Sequence, residues 1–387
     1  MELPLPDSVA QAHSEKLIHH ICKSIELGGG QLSFADYMGL VLYAPGLGYY
    51  SSGAQKFGES GDFVTAPEMS PVFSQCLARQ CHAVLPALGD SARILEVGAG
   101  SGKMAAELLA ELERLDHIPQ QYWILELSAD LRQRQQQTLK QRLPHLMDRV
   151  QWIEQLPAHP FNGIVLANEL LDAMPVHRVR ANLDADLQEM YVQWNGQRFI
   201  EHWGEPGSAA LADRLESLSR HFAPGYVSEI NLAMESWIHS IGAIMDRGLV
   251  LLVDYGFSEQ EYYHSQRGDG TLMCHYRHRS HPDPFVYPGL QDITAHVDFT
   301  AVAHCGVAAG FNVAGYNSQC YFLMATGLAD IMSRHDPDSK EYLRLSQQVK
   351  LLTLPSEMGE LFKVMALTKA WEEPLLGFSL QDLRANL

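Results

Sequence analysis

The segment Glu96-Val-Gly98-Ala99-Gly100-Ser-Gly102 gathers the residue types needed to hold a small charged ligand. Glycines carry no Cβ, so a ligand can come close to the backbone and the chain can take left-handed turns. A short apolar run, Arg93-Ile-Leu-Glu-Val97, precedes this turn, and a helical pattern over Lys103 to Leu115 follows it. That strand-turn-helix setting is where glycine turns bind nucleotides. A dinucleotide fold would want its third glycine where Lys103 stands, and it gives no reason for an acid two residues before the first glycine. Such an acid suits a cationic ligand: S-adenosylmethionine (SAM) carries an ammonium and a sulfonium, and Glu96 would supply negative charge. Glu126 ends the second strand, Tyr122-Trp-Ile-Leu-Glu126, near the spacing at which an acid takes both ribose hydroxyls. Ala99 in the turn and Ile153 at the end of the third strand join the expected cofactor set. A structural turn and an ordinary strand-end acid are the competing readings of these residues.

Asn168-Glu169-Leu-Leu-Asp172-Ala-Met-Pro175 directly follows a fourth strand, Gly163-Ile-Val-Leu-Ala167. It therefore stands at the carboxyl edge of a sheet, where ligands of open α/β proteins bind. Asn168, Glu169 and Asp172 can orient a nucleophilic nitrogen there. If the nitrogen is an arginine's, paired carboxylates have a physical task, because guanidinium stays protonated at neutral pH. Fork-like hydrogen bonds then draw its charge away from the attacking atom. The same acids also fit helix N-terminal caps. His177 opens an inserted ribbon and reads first as an orienting or structural residue, with proton acceptor as the second reading. Asp254-Tyr255-Gly256, at the end of the fifth strand, is placed to close the substrate side. Histidines crowd positions 264–304, but without His-x-x-x-His or Cys-x-x-Cys grouping, so no metal site is expected.

These residues need a sheet to line them up. Strands at Arg93–Val97, Tyr122–Glu126, Val150–Ile153 and Gly163–Ala167 alternate with helices over Lys103–Leu115 and Ala129–Leu143, which implies βαβ units and a parallel sheet. A fifth strand, Leu249–Val253, comes only after an insertion, and strands at Phe311–Asn317 and Leu361–Thr368 complete seven. The expected fold is α/β, a class I methyltransferase (Rossmann-like) seven-stranded, mostly parallel sheet with helices on both faces and an antiparallel last strand. The N-terminal segment, 1–90, reads as a helix over Ser8–Leu27 and a loop over Ser33–Glu68 before a helix at Ser70–Leu85. The core is then 91–387, with an insertion at 176–247. Within it, Leu187–Trp194 and Gln197–Trp203 flank Asn195-Gly196, which reads as a type I′ hairpin turn. Helices are expected near Leu211–His221, Ser228–Arg247 and Val297–Ala309, with a loop over Phe257–Gln291.

Asp and Glu total 46 against 28 Lys and Arg, a formal charge of −18. That charge repels nucleic acid and anionic membranes and favours a cationic substrate. The six cysteines show no disulfide-scaffold density, no apolar run is long enough to span a bilayer, and Glu2 and Asp7 stand where a signal peptide would be basic. A cytoplasmic protein without membrane insertion is expected.

Taken with Tyr43-x-Pro45-x-x-Gly48-Tyr-Tyr50, Gly61-Asp-Phe-Val-Thr-Ala-Pro-Glu68 and Asp292-Ile-Thr-Ala-His-Val-Asp-Phe299, these motifs resemble the MidA-like family. Those are bacterial relatives of the mitochondrial complex I assembly factor that is a SAM-dependent protein arginine methyltransferase. The resemblance covers nearly the whole chain. It implies that Gly61, Asp62 and Thr65 border the cofactor, that His296 lies on the substrate side, and that the partner is a protein. That partner would be a respiratory complex I subunit or another arginine-bearing protein, and a homodimer stays open. Two other readings are a nicotinamide-dependent oxidoreductase, which binds NAD and not SAM, and an assembly chaperone that binds SAM without turnover.

Overall fold

The apolar runs become strands of one mixed sheet: β1 (Arg93–Val97), β2 (Gln121–Leu125), β3 (Val150–Ile153), β4 (Phe161–Asn168), β5 (Met245–Phe257), β6 (Asn312–Ser318) and β7 (Phe362–Lys369). This computed structural model describes residues 3–51 and 65–387. The strand order is β6-β7-β5-β4-β1-β2-β3, and a short strand at Val297–Asp298 pairs with β5, so the sheet has eight strands where the sequence suggested seven. Adjacent strands from β5 through β4, β1 and β2 to β3 are parallel, whereas β7 runs antiparallel to both β5 and β6. Val97 pairs with Leu125 and with Ala167, Leu125 with Ile153, and Asn168 with Val253. The carboxyl ends of these strands therefore lie in one row.

The sheet belongs to a compact unit made of Val64–Leu171, Trp237–Ser258 and Val297–Leu387. Helix α1 (Pro71–Leu88) joins it, because its Val72, Phe73, Cys76, Leu77 and Leu85 share one core with Ile94, Ile124 and Ile164 of the sheet. Burying each such side chain is worth about 1.5–3 kcal/mol, which commits α1 to this unit. Helix α2 (Lys103–Arg114) follows β1, and α3 (Ala129–Arg142) follows β2. On α2, Glu111 is 3% exposed and accepts bonds of 2.8–2.9 Å from Arg114 and Arg334, with Arg79 Nε at 3.6 Å.

The other unit is assembled from Met1–Phe63, Asp172–Ser236 and Glu259–His296. The stretch read as loop contains a helix, Phe34–Tyr43. Ser33 caps it by accepting from the Asp36 N–H, and Phe34, Tyr37, Met38, Val41 and Leu42 are buried. The helix Ser8–Leu27, capped by Asp7, packs Leu17, Ile21 and Ile25 into the same core. Strands His177–Ala181, Leu187–Trp194, Phe199–Gly204 and Val227–Ile230 form an antiparallel sheet, with Leu32–Ser33 added on Leu187–Trp194. The hairpin exists, but Trp194 pairs with Phe199, so the connection is 195–198 and not a two-residue turn. The Asn195 side chain closes it, accepting from the Gln197 and Arg198 N–H groups. The helix expected over Ser228–Arg247 is a strand, Val227–Ile230, then a helix, Leu232–Ile244, before β5 begins. Likewise the supposed loop after Phe257 holds Met273–Tyr276, which pairs with Arg279–His281 on one side and with Asp292–Thr294 on the other as a small sheet. Strands this short carry too little alternation to be read as a period. Among the described residues no helix is long and apolar enough to cross a membrane.

Burial alone would raise the Glu111 carboxyl, but the bonds and charges of Arg114 and Arg334 pull it down to about 2 from 4.5. Its contribution is therefore complete above its unfolded value and lost as pH falls from about 4.5 toward 2. Glu111→Gln should lower stability by about 3–5 kcal/mol at neutral pH and flatten the acid limb of a denaturation series. A loss under about 1 kcal/mol would mark the cluster as an ordinary surface network.

Candidate functional site

Val97 ends β1, and the next residues can turn only because Gly98, Gly100 and Gly102 take φ of 73°, 52° and 81°. A Cβ on Gly102 would sit 2.9 Å from Gln135 Cα, so α3 presses directly on the turn. Glu96, one residue before the end of β1, is 1% exposed. Its Oε2 accepts a 2.6 Å bond from the Tyr122 hydroxyl of β2, while its Oε1 is buried without a hydrogen-bond partner among the described residues. Burial pushes this carboxyl up to about 7; the Tyr122 bond opposes the rise and the nearby charge of Glu126 adds to it. A buried acid with an unmet oxygen beside a side-chain-free turn fits a cationic ligand.

Glu126 follows β2 and is 8% exposed. Its Oε1 accepts from the Ser128 N–H at 2.8 Å and its Oε2 from Gln135 Nε2 at 3.0 Å. Burial raises its carboxyl, and those bonds restrain the rise. Ile153 ends β3, and its carbonyl accepts the Glu126 N–H at 3.2 Å. Gly61 and Asp62 lie outside the described residues. Thr65 occupies the N-cap position of the short helix Ala66–Met69 without a side-chain bond to it. In that helix Glu68 accepts from the Ser101 hydroxyl and bonds Lys103 Nζ at 2.6 Å, which ties the segment to the glycine turn.

At the end of β4, Asn168 Nδ2 donates to Glu169 Oε1 at 3.1 Å, and the Glu169 N–H donates to the Val253 carbonyl of β5. Glu169 has φ of 49°, a left-handed conformation that costs a non-glycine residue energy and tends to persist at functional positions. Asp254 is 1% exposed and serves the backbone: Oδ2 accepts from the Leu170 and Leu171 N–H groups and Oδ1 from that of Tyr255. It frames the Glu169 turn. The Tyr255 ring packs on Phe362, with centroids 3.9 Å apart.

Asp172, His177 and His296 belong to the other unit. Asp172 is buried, and the backbone around it is clamped twice: the Ala295 N–H donates to its carbonyl, and the Tyr43 hydroxyl donates to the Ala173 carbonyl. The Tyr43 ring stacks on Tyr50, whose hydroxyl donates to Asp292 Oδ1 at 2.9 Å. His177 Nδ1 lies 2.7 Å from Glu189 Oε1, and that bond helps hold the Glu189 carboxyl below its usual range against burial. The His296 N–H donates to Thr271 Oγ1. One row of strand ends thus holds Glu96 to Gly102, Glu126, Ile153, Asn168, Glu169, Asp254 and Tyr255.

Sequence reading missed Tyr122, Glu68 and Gln135. Gln135 had a signal, since it shares helical i, i+4 spacing with Leu131 and Leu139 on the buried stripe of α3. Its neighbours in a glutamine-rich run concealed it.

A family model for S-adenosyl-L-methionine-dependent methyltransferases matches residues 76–317. A candidate methyl transferase from Burkholderia thailandensis, solved with bound S-adenosyl-homocysteine, is 44% identical over all of both chains, with a TM-score of 0.95. The mitochondrial protein arginine methyltransferase NDUFAF7 homolog of Drosophila melanogaster is 26% identical over 98% of this chain and 93% of its own length. The Danio rerio protein of that name is 27% identical, over 90% and 86%. The expected MidA-like resemblance and its SAM cofactor hold, and the nicotinamide reading is not favoured. The cytoplasmic expectation does not hold, because these relatives are named mitochondrial.

Glu96 must be ionised to meet a cation, so SAM binding should tighten severalfold from about pH 5.5 to about pH 7.5. Calorimetry at several pH values would reveal a flat profile if Glu96 had no part in binding. Gly100→Val forces a β-branched residue into left-handed backbone at about 1–3 kcal/mol, and SAM binding by the folded variant should be lost. Retained micromolar affinity would move the ligand away from this turn.

Proposed function

The chain belongs to this family of SAM-dependent methyltransferases, and from that premise we propose that its methyl acceptor is an arginine side chain of a protein. The observation that carries this reading is that relatives aligned over nine-tenths or more of the chain are named protein arginine methyltransferases. The strand order and the antiparallel β7 support the class I, Rossmann-like form of the fold. When bound, SAM supplies a methyl carbon made electrophilic by its sulfonium. Glu96 meets the amino-acid ammonium, the backbone of Gly98, Ala99, Gly100 and Gly102 lies against the ligand, and Glu126 takes the ribose hydroxyls. Ile153 and Thr65 line the same side.

Glu169 and Asp172 orient the guanidinium and draw its positive charge off the attacking nitrogen. The proton displaced from the acceptor nitrogen would leave through the carboxylate of Glu169 or Asp172. Catalysis comes mainly from holding the reacting atoms in line and from placing negative charge where the acceptor needs it. Asn168 fixes Glu169 through its side-chain bond. His177, already bonded to Glu189, is an orienting residue in this scheme and not the proton acceptor. Asp254, Tyr255 and His296 frame the acceptor side. The protein acceptor is a complex I subunit or another arginine-bearing protein. A homodimer is the assembly we propose.

Incubating the chain with methyl-labelled SAM and candidate proteins, then hydrolysing them, should yield label in methylarginine. Label confined to lysine or carboxyl groups would overturn the arginine assignment. Asp172→Asn should lower kcat by about 100- to 1,000-fold while SAM affinity, read by calorimetry, changes less than about threefold. Equal losses in both would remove Asp172 from the acceptor side.

A further inference from the structure

Gln135 is fully buried at the middle of α3, and its side-chain amide uses both ends. Nε2 donates to the Gly100 carbonyl at 3.0 Å and to Glu126 Oε2 at 3.0 Å, while Oε1 accepts from Trp152 Nε1 of β3 at 2.9 Å. An indole N–H only donates, and a carbonyl and a carboxylate only accept, so a single orientation of the amide satisfies all three neighbours. No other uncharged side chain of this length offers two donors on one atom and an acceptor beside it. The third of these bonds fixes the amide; the first two join the glycine turn to the acid at the end of β2.

We propose that Gln135 is a positioning residue for cofactor recognition, holding the Glu126 carboxylate in the one orientation that takes the ribose hydroxyls of SAM. This rests on the ribose role assigned to Glu126 above. A freely rotating carboxylate would bond one hydroxyl at a time, whereas one held at Oε1 by the Ser128 N–H and at Oε2 by Gln135 presents its remaining lone pairs in a fixed plane. The device therefore acts on ribose discrimination more than on general ligand burial. A residue that merely filled the core would affect all adenosyl ligands alike.

The test measures calorimetric affinities of the full chain for S-adenosylhomocysteine and for its 2′-deoxyribose analogue. Gln135→Met, close in volume but without donors, should weaken S-adenosylhomocysteine by about 10- to 100-fold and lower the preference over the deoxy analogue by a similar factor. Added to Glu126→Gln, it should cost less than about twofold more, because coupled residues are not additive. Gln135→Glu keeps the shape and the Trp152 bond but turns lone pairs toward Gly100 and Glu126, so it should show the same loss of preference. Equal weakening of both ligands by either variant, with full additivity in the double variant, overturns the inference alone. Wild-type affinity in Glu126→Gln overturns the ribose role of Glu126 and the inference with it.

Discussion

Val97 pairs with Leu125 on one side and Ala167 on the other, and the placement of Glu96, the glycine turn and Glu126 follows from that register. Side chains alternate along a strand, so a slip of one residue would turn Glu96 to the opposite face and carry the glycine turn off the row of strand ends. Parallel pairing also requires long crossovers. The chain moves outward from β1 through β2 to β3, then returns to lay β4 on the other side of β1. The segments leaving β1 and β4 therefore depart in opposite directions, and a crevice opens between them at the switch in order. Gly98 leaves one strand there and Asn168-Glu169 leaves the other.

That edge concentrates acid. Glu96 and Glu126 are both nearly buried, and burial raises both carboxyls. A protein keeps such groups only where something meets their charge or their hydrogen-bonding capacity. Tyr122 meets half of Glu96; Ser128 and Gln135 meet most of Glu126. In the proposed function the unmet remainder on Glu96 is the part that the cationic ligand completes, the reason we give for an acid before this turn where a phosphate site would want none. Glu111, equally buried, makes the contrast: arginines satisfy it fully, its carboxyl lies far below the usual range, and it ties helices together without any ligand.

Much of the sheet unit could be read from residue order alone because its inner strands are apolar runs buried on both faces and its early strands alternate with helices. Arg93–Val97, Val150–Ile153 and the glycine turn emerged at or near their true bounds for this reason. The other unit resisted reading because its order is non-local. Gly39 interrupted the pattern of Phe34–Tyr43, and Met273–Tyr276, Arg279–His281 and Asp292–Thr294 are too short to show alternation. Asn195-Gly196 is a strong local turn signal, yet the pairing of Trp194 with Phe199 placed the connection over 195–198. Among site residues, charged types at strand ends were legible. Gln135 and Tyr122 were not, since their roles depend on which oxygen they face after folding.

β7 comes last among the strands of the sheet, yet it lies between β5 and β6. Until Phe362–Lys369 is in place, β5 has one full-length neighbour and an open edge of buried-type residues, Leu249 to Val253. β6, made earlier, has no strand to join except the one not yet synthesised. Insertion of a late strand into the interior of a sheet raises the sequence separation of its contacts and slows folding. It also leaves an apolar edge exposed while the ribosome finishes the chain, the condition under which strands pair with the wrong partner. The architecture that aligns the strand ends from β3 to β5 thus leaves the β6–β7 side of the sheet the last to close.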